Sequence, residues 1–218
     1  MLIDLLNHCP WFSSQPAGLR ALMAAEGRLR GLDAGQTVYL KGDGQNGLWM
    51  VLDGRVKLEM AVGPNKEALV NIARAGSVFG RSVLGNAGSR PVAARATTTH
   101  KTTIFIISGA AIERIATQEP LMWRALAQAL QHQLESAMAM LGPLLALPPP
   151  ARVAARLRQL AQGERVDVAQ GDLADLSGLS RRAVNVHLGS LERAGMIERH
   201  YGGIIIRNDA ALAAAAAG

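Results

Sequence analysis

The sequence predicts an α+β fold in which a strand-rich N-terminal half precedes a helical C-terminal half. Between residues 36 and 107, short runs rich in Val, Ile and Thr are separated by glycine turns. From residue 120 the spacing of apolar side chains changes to a heptad pattern, which is typical of a long helix. A helix, a glycine turn, a second helix and two short strands come last.

Composition limits the class of protein. The 218 residues are 49% hydrophobic and 18% charged, which predicts a globular chain, and the net charge of +6 favours an anionic partner such as nucleic acid. Cys9 is the only cysteine, so an internal disulfide and an iron–sulfur cluster are excluded, and a reducing, cytoplasmic location is expected. We expect neither a signal peptide nor a membrane protein, because no convincing run of about 18 uncharged apolar residues occurs.

The N-terminal half begins with a predicted helix, Ala17–Arg30, entered through Pro16. Six strands with apolar alternation follow, at 36–41, 47–52, 55–62, 66–73, 92–99 and 101–108. Glycine, asparagine and aspartate lie between these strands, and these residues tolerate tight turns. The pattern predicts a small antiparallel sandwich or barrel.

The long helix carries two apolar stripes. A heptad seam contains Trp123, Ala127, Leu130, Leu134, Ala137, Leu141 and Leu144. A second stripe contains Met122, Leu126, Ala129 and Met140. One stripe can pack on the sandwich and the other on a second helix, most simply that of an identical chain in a homodimer. In the alternative interpretation, both stripes belong to the core of one chain.

The C-terminal part follows three prolines at 148–150, which stop the long helix and mark a domain boundary. A helix over 151–161 precedes a helix ending near Leu176, the turn Ser177-Gly178-Leu179, and a helix capped by Ser180 that reaches about Ala194. This order is a helix-turn-helix signature. Strands at 196–200 and 204–207 flank Gly202-Gly203 and predict a hairpin, or wing. An Ala-rich tail from Ala210 is predicted to be a frayed helix.

The second helix of this motif is the candidate nucleic-acid reader. No acidic residue lies between Asp175 and Glu192. Leu179, Val184, Leu188 and Leu191 form its predicted buried stripe. Arginine suits guanine, asparagine suits adenine, and a helix N-terminus suits phosphate. The candidate DNA-binding residues are Ser180, Arg181, Arg182, Asn185, Val186 and His187. A solvated helix with two ordinary arginines is the alternative.

The whole chain resembles the Crp/Fnr family of bacterial transcription regulators. The motifs that carry the resemblance are Lys41-Gly42-Asp43, Leu52-Asp53-Gly54-Arg55-Val56, Gly76-Ser77-Val78-Phe79-Gly80 and Leu179-Ser180-Arg181, in the family's order. The resemblance implies a jelly-roll-like antiparallel β-roll sensor over residues 1–119, a dimerisation helix over 120–147 and a winged helix-turn-helix DNA-binding domain over 148–218. It also implies a homodimer that binds double-stranded promoter DNA and contacts RNA polymerase.

The family's cyclic-nucleotide pocket corresponds here to residues 79–94. Its candidate residues are Gly80, Arg81, Ser82, Arg90 and Pro91. Arg81 stands where the family places a glutamate for the ribose, and a guanidinium donates but does not accept hydrogen bonds. Pro91 replaces a serine beside the phosphate-binding Arg90. The pocket is therefore interpreted as degenerate, and three alternatives stay open: an unfamiliar nucleotide-type effector such as a cyclic dinucleotide, an ordinary cyclic nucleotide, or no ligand.

The base-reading pattern also departs from the family. Arg181 matches the family's first arginine, whereas Arg182 replaces a glutamate and Val186 replaces a second arginine. Valine offers only apolar contact, for instance to a thymine methyl group. The preferred half-site is therefore expected to differ from that of the family's archetype.

Other functions find little support in the sequence. Five scattered histidines form neither a haem motif nor a zinc ligand set. Asp43, Asp53, Glu59 and Glu67 lack a motif that would link them in catalysis, so no enzyme is predicted. A ligand-binding protein whose helix-turn-helix contacts another protein is the remaining alternative.

Overall fold

The computed structural model describes residues 2–39, 47–63, 66–81, 92–96 and 101–218. The chain divides into two compact units, Met1–Ser136 and Ala137–Gly218, and the division falls inside the long helix. The domain boundaries expected after residues 119 and 147 remain a prediction.

The described part of the first unit alternates short helices with a set of strands. The helices before the strands are α1 (Leu2–Leu6), α2 (Pro10–Ser13) and α3 (Ala17–Glu26). The strands are β1 (Arg28–Leu32), β2 (Thr37–Tyr39), β3 (Gly47–Asp53), β4 (Arg55–Gly63), β5 (Lys66–Arg74), β6 (Val78–Arg81), β7 (Val92–Ala96) and β8 (Thr102–Ser108). Helix α4 (Gly109–Gln118) and helix α5 (Leu121–Ala146) follow, and α5 extends into the second unit.

The strands form two four-stranded antiparallel sheets in the described residues, with the orders β1-β8-β3-β6 and β2-β7-β4-β5. This arrangement confirms the predicted antiparallel sandwich and is jelly-roll-like. The space between the sheets is filled by an aromatic cluster, in which Trp49 stacks on Phe79 with ring centroids 5.9 Å apart and contacts Tyr39 at 4.8 Å. All three rings are buried.

The prediction for the helix over residues 17–30 is wrong at its end. Helix α3 ends at Glu26, and Arg28–Leu32 is the edge strand β1, paired with β8. The reason lies at Gly27, where a Cβ atom would come 2.2 Å from Cζ of Phe105. The chain therefore passes too close to strand β8 to accommodate a side chain, and helix α3 ends at this point.

A second core lies on the other face of the sheet that contains β3 and β8. Alternate residues of β3 face it, for example Leu48 and Met50, while Trp49 faces the sandwich interior. Both faces of β3 are thus buried. Three residues of the second stripe of α5, Met122, Leu126 and Ala129, are buried in this core, whereas Met140 is only half-buried. The indole N–H of Trp11 donates to the carbonyl of Ala125 at 2.8 Å and secures α5 there.

The second unit contains the last part of α5 and a compact helical domain with a small sheet. Its further elements are α6 (Pro149–Leu160), β9 (Arg165–Val166), α7 (Gln170–Ser177), α8 (Arg181–Arg193), β10 (Ile197–His200), β11 (Gly203–Ile206) and α9 (Asp209–Ala217). The antiparallel sheet has the order β10-β11-β9. Helix α6 starts two residues earlier than predicted, because Pro149 at its first position has a preset φ and lacks only an amide that would be unpaired there.

The Ala-rich tail is a packed helix, which corrects the expectation of fraying. Asn208 caps α9, with its side-chain oxygen accepting from the amide of Ala211 at 2.9 Å. Arg158 of α6 pairs with Asp209 in the first turn of α9 at 2.9 Å, and Leu212 is buried. Helix α9 therefore packs on α6 as part of the same domain.

Pro143 lies inside α5 and lacks the amide that would donate to the carbonyl of Ala139. The side-chain amide of Gln159 donates to this carbonyl instead, at 2.7 Å. Gln159 also accepts from the guanidinium of Arg156 at 2.7 Å, and Arg156 donates to the carbonyl of Met140 at 3.1 Å. Arg156 is fully buried, and burial lowers its pKa to about 10. Gln159 thus joins α5 to α6 at the point where proline interrupts the helix ladder.

We expect Gln159→Ala to lower the free energy of unfolding by about 1 kcal/mol, because it leaves the carbonyl of Ala139 and the guanidinium of Arg156 without this partner. Pro143→Ala restores an amide to α5, so the same substitution is expected to cost less in the Pro143→Ala background. Urea unfolding of the four proteins of this double-mutant cycle measures the coupling. Equal costs in both backgrounds would show that Pro143 and Gln159 act independently.

Candidate nucleic-acid interface

Helices α7 and α8 are joined by a tight left-handed turn. Gly178 has φ 63°, a conformation that favours glycine because it has no Cβ. Its amide donates to the carbonyl of Asp175 at 3.1 Å, and the amide of Leu179 donates to the carbonyl of Ala174 at 3.0 Å. These two bonds form the Schellman motif, which ends a helix and redirects the chain. The predicted helix-turn-helix is therefore present.

The first turn of α8 is capped and cationic. The hydroxyl of Ser180 accepts from the amide of Ala183 at 3.2 Å, as predicted. Arg181 and Arg182 are the first two helical residues, and this turn has no acidic residue. The helix dipole favours acidic groups at this end, so two arginines here do not serve helix stability. Together with the free amides of the first turn, they favour an anionic ligand.

The arginines of the second unit differ in their partners. Residues 148–218 hold nine Arg against seven Asp and Glu, so the net charge of this segment is only +2. Four of these arginines form ion pairs, namely Arg158 with Asp209, Arg165 with Asp167, Arg199 with Glu192 and Arg207 with Glu198. Within the described residues, neither Arg181 nor Arg182 has a carboxylate partner. The start of α8 therefore carries two adjacent arginines whose charge no carboxylate among the described residues neutralises.

Helix α8 has one buried and one exposed face. Val184, Leu188 and Leu191 are buried as predicted, and Leu179 is half-buried. Among the predicted DNA-binding residues, Ser180, Arg181, Arg182, Asn185 and Val186 are exposed, and His187 is half-buried. Val186 exposes 59% of its surface, which is unusual for valine and leaves an apolar contact available. Five of the six predicted residues are thus exposed, near the N-terminal end of α8.

The wing, formed by β10 and β11, is tied to α8 by Glu192, a connection that the sequence did not predict. Glu192 accepts from the backbone amide of Arg199 at 3.0 Å and from its guanidinium at 2.8 Å, which holds the pKa of Glu192 below its ordinary value. Hydrogen bonds from Arg207 likewise lower the pKa of Glu198 within the wing. Tyr201 at the wing tip is fully exposed.

The heptad seam of α5 is exposed in the single chain. Leu130 and Leu134 expose 52% and 58% of their surfaces, Trp123 and Leu141 expose 42% and 45%, and the alanines between them are also exposed. The stripe that packs on the sheet lies beside this seam on the helix surface. The exposed seam residues are Trp123, Ala127, Leu130, Leu134, Ala137 and Leu141, whereas Leu144 is half-buried. Most of the seam is therefore not core of its own chain, which removes the alternative that buried both stripes.

Most of the predicted ligand pocket lies outside the described residues. Ser82, Arg90 and Pro91 belong to that part, as does the motif at residues 41–43. Arg81 ends β6, where its backbone pairs with Gly47, and Gly80 precedes it. A Cβ atom on Gly80 would come 2.7 Å from Cδ2 of Leu48 and 2.9 Å from the carbonyl oxygen of Gly47, so strand packing disfavours a side chain at this position.

No group of three or more His, Cys, Asp or Glu side chains among the described residues could hold a metal ion. No helix in this part of the chain is long and apolar enough to cross a membrane.

Each of the two units contains a region that matches a known protein family. A family model described as a cyclic nucleotide-binding domain matches residues 29–119, and one described as a Crp-like helix-turn-helix domain matches residues 151–215. The HTH-type transcriptional regulator Cmr of Mycobacterium tuberculosis (strain CDC 1551 / Oshkosh) is 30% identical over 183 residues, which cover 84% of this chain and 73% of that protein. A CRP-like cAMP-activated global transcriptional regulator of the same organism is 27% identical over 194 residues, covering 82% of this chain and 84% of the relative.

Solved structures share the fold. FixK2 from Bradyrhizobium japonicum superposes with a TM-score of 0.75 at 21% identity, covering 88% of this chain and 98% of that one. The c-di-GMP responsive global regulator CLP of Xanthomonas campestris has a TM-score of 0.70 at 19% identity, covering 88% and 99%. The matched curated relatives are transcription regulators and not enzymes. With a sensor-type sandwich, a long helix and an exposed cationic helix-turn-helix in this order, the chain belongs to the Crp/Fnr family of DNA-binding transcription regulators.

Proposed function

We propose that two copies of this chain bind double-stranded promoter DNA sequence-specifically, each inserting α8 into the major groove. The observation that carries this proposal is the pair of arginines at the capped start of α8, which have no carboxylate partner in the part of the chain that the structure describes and lie near the exposed Asn185 and Val186. Base edges meet the N-terminal residues of a recognition helix in this motif. Charge and shape at this surface thus match the groove of duplex DNA.

The chemistry of each residue suits it to a different part of the DNA. Ser180 and the first amides of α8 suit a phosphate. Arg181 and Arg182 suit guanine O6 and N7, and Asn185 suits adenine. Val186 suits a thymine methyl group, and His187 is half-buried beside these residues. Because Arg182 and Val186 replace polar readers of the family, we propose a half-site of different sequence.

The proposed dimer uses the heptad seam of α5. Exposed leucines at heptad spacing along a helix of 26 residues are what a parallel partner helix buries. A two-fold axis along this seam would present two recognition helices to two half-sites of a pseudo-palindrome. From the family we also propose a contact with RNA polymerase, and because chromosomal DNA is the target we place the protein in the cytoplasm.

For the sensor, we propose a degenerate cyclic-nucleotide pocket. The support is the chemistry of the replacements at Arg81 and Pro91, which remove a ribose acceptor and a phosphate donor. One relative is described as cAMP-activated and one structural neighbour as c-di-GMP responsive. An anionic cyclic dinucleotide suits two arginines better than cyclic AMP does. Regulation without ligand is the second candidate.

Duplexes selected from a random pool by the full-length protein provide the test. We expect the logarithm of affinity to fall linearly with the logarithm of salt concentration, with a slope of about −0.9 for each phosphate contact. Repeating the measurement at fixed salt with cyclic AMP or with cyclic di-GMP reports on the effector. Failure to bind duplex DNA even at low salt would refute the proposed function, whereas an affinity unchanged by either nucleotide favours regulation without ligand.

A further inference from the structure

We propose that Gly171 of α7 is a specificity-determining position, because it provides the space in which the guanidinium of Arg181 rests. A Cβ atom on Gly171 would come 2.8 Å from Nη2 of Arg181 and 3.0 Å from its Cζ and Nε. The three distances are so similar that the guanidinium must lie against the glycine. This inference rests on the proposed function, since it concerns how the proposed base-reading arginine is held.

Backbone geometry does not explain the glycine. Gly171 is the second residue of α7 and does not have a positive φ. Glycine is a poor helix former, so any other small residue would favour this helix more. The unusual feature of the position is its neighbour, a side chain ten residues later in the sequence. We therefore attribute the glycine to the space that Arg181 occupies.

Resting against α7 restricts a side chain that is otherwise mobile. Arginine carries considerable rotamer entropy, and a group that is already ordered loses less of it on binding. A binding site also needs its groups held within about 0.5 Å of the productive position. Arg181 has no carboxylate partner among the described residues that could hold it instead. Its contact with Gly171 is the constraint that the structure shows.

Adding a methyl group at Gly171 has a specific consequence. The atoms that the new Cβ would meet are the far end of a flexible side chain, so Arg181 moves and the backbone of α7 does not need to. Charge is unchanged, so binding to DNA of arbitrary sequence and its salt dependence are preserved. Discrimination at the base pair read by Arg181 is lost, because a bidentate contact depends on the position of the guanidinium.

The test uses Gly171→Ala in the full-length protein, with a duplex selected by the wild type and single base-pair replacements of it. We expect Gly171→Ala to lower discrimination about tenfold at one base pair of each half-site, the same one that Arg181→Ala affects. Its melting temperature should equal or exceed that of the wild type. The double variant should behave like Arg181→Ala alone, because the methyl group acts only through that side chain.

Gly18→Ala is the matched control. Gly18 is also the second residue of a helix, α3, and a Cβ atom there would meet nothing within 4 Å. It should leave base preference unchanged. If Gly171→Ala keeps the wild-type preference where Arg181→Ala loses it, the inference is overturned and the proposed function stands. If Arg181→Ala itself changes no base preference, the proposed reading helix is wrong and the role of Gly171 falls with it.

Discussion

Replacing Leu134 with glutamate is expected to convert the proposed dimer into monomers and to weaken binding to a two-half-site duplex by about 10²-fold or more. Leu134 exposes 58% of its surface in the single chain and lies in the heptad seam of α5. In a symmetric dimer a central seam residue faces its own counterpart, so the substitution buries two like charges against each other. The loss in DNA binding follows because a monomer engages one half-site at a time.

His132→Glu is the control for this experiment. His132 is also exposed on α5 but is two residues from Leu134, on the side of the helix away from the seam. It introduces the same carboxylate without reaching the proposed interface. Sedimentation equilibrium gives the oligomeric state, and titration of a selected duplex gives the affinity. A Leu134→Glu protein that remains a dimer would refute the assignment of this seam.

Arg181→Ala is expected to weaken binding to the selected duplex by about 1 to 3 kcal/mol and to relax the base preference at one position of each half-site. The guanidinium is exposed at the first position of α8 and lacks a carboxylate partner among the described residues, so its removal breaks no ion pair there. The effect on folding stability should therefore be small. Competition between the selected duplex and its single-base-pair variants measures the change.

Arg193→Ala removes the same charge at the other end of α8. Arg193 donates only to Gly189 and Ser190 among the described residues, and it lies twelve positions after Arg181 in the helix. We expect it to weaken binding to all sequences about equally, through electrostatics alone. If both variants relax the same base pair, or if neither relaxes any, α8 does not read DNA in the proposed orientation.

Sequence reasoning succeeded where the pattern was local. The strands flanked by glycine turns, the turn at Gly178 and the cap at Ser180 depend on residues a few positions apart, and the structure contains them. Strand β1 was missed because Arg28–Leu32 shows no apolar alternation and is mostly exposed. Its start is determined by the approach of Gly27 to Phe105, which are far apart in sequence. The expectation that the Ala-rich tail is frayed was wrong for the same reason, because α9 is stabilised by contacts with α6, which is distant in sequence.

The residues of the candidate site also fall into two groups, those that a local pattern predicts and those that only the tertiary structure identifies. Arg181, Arg182 and Asn185 could be selected from the sequence, since the positions of a helix that face away from its apolar stripe follow from its period. The contribution of Gly171 could not, because a glycine without a positive φ looks like any helix residue until its neighbour is known. The absence of acidic residues in this stretch was a better guide than the bulk charge.

By itself, the sequence determined the order of most elements, the two stripes of α5 and the buried stripe of α8. Periodicity, turn residues and capping residues act over a few positions, so they can be recognised without a fold. Only the tertiary structure decided which stripe of α5 is buried, which arginines are paired and what Gln159 and Gly171 contact. These outcomes depend on close approaches between residues that are distant along the chain, which no local pattern contains.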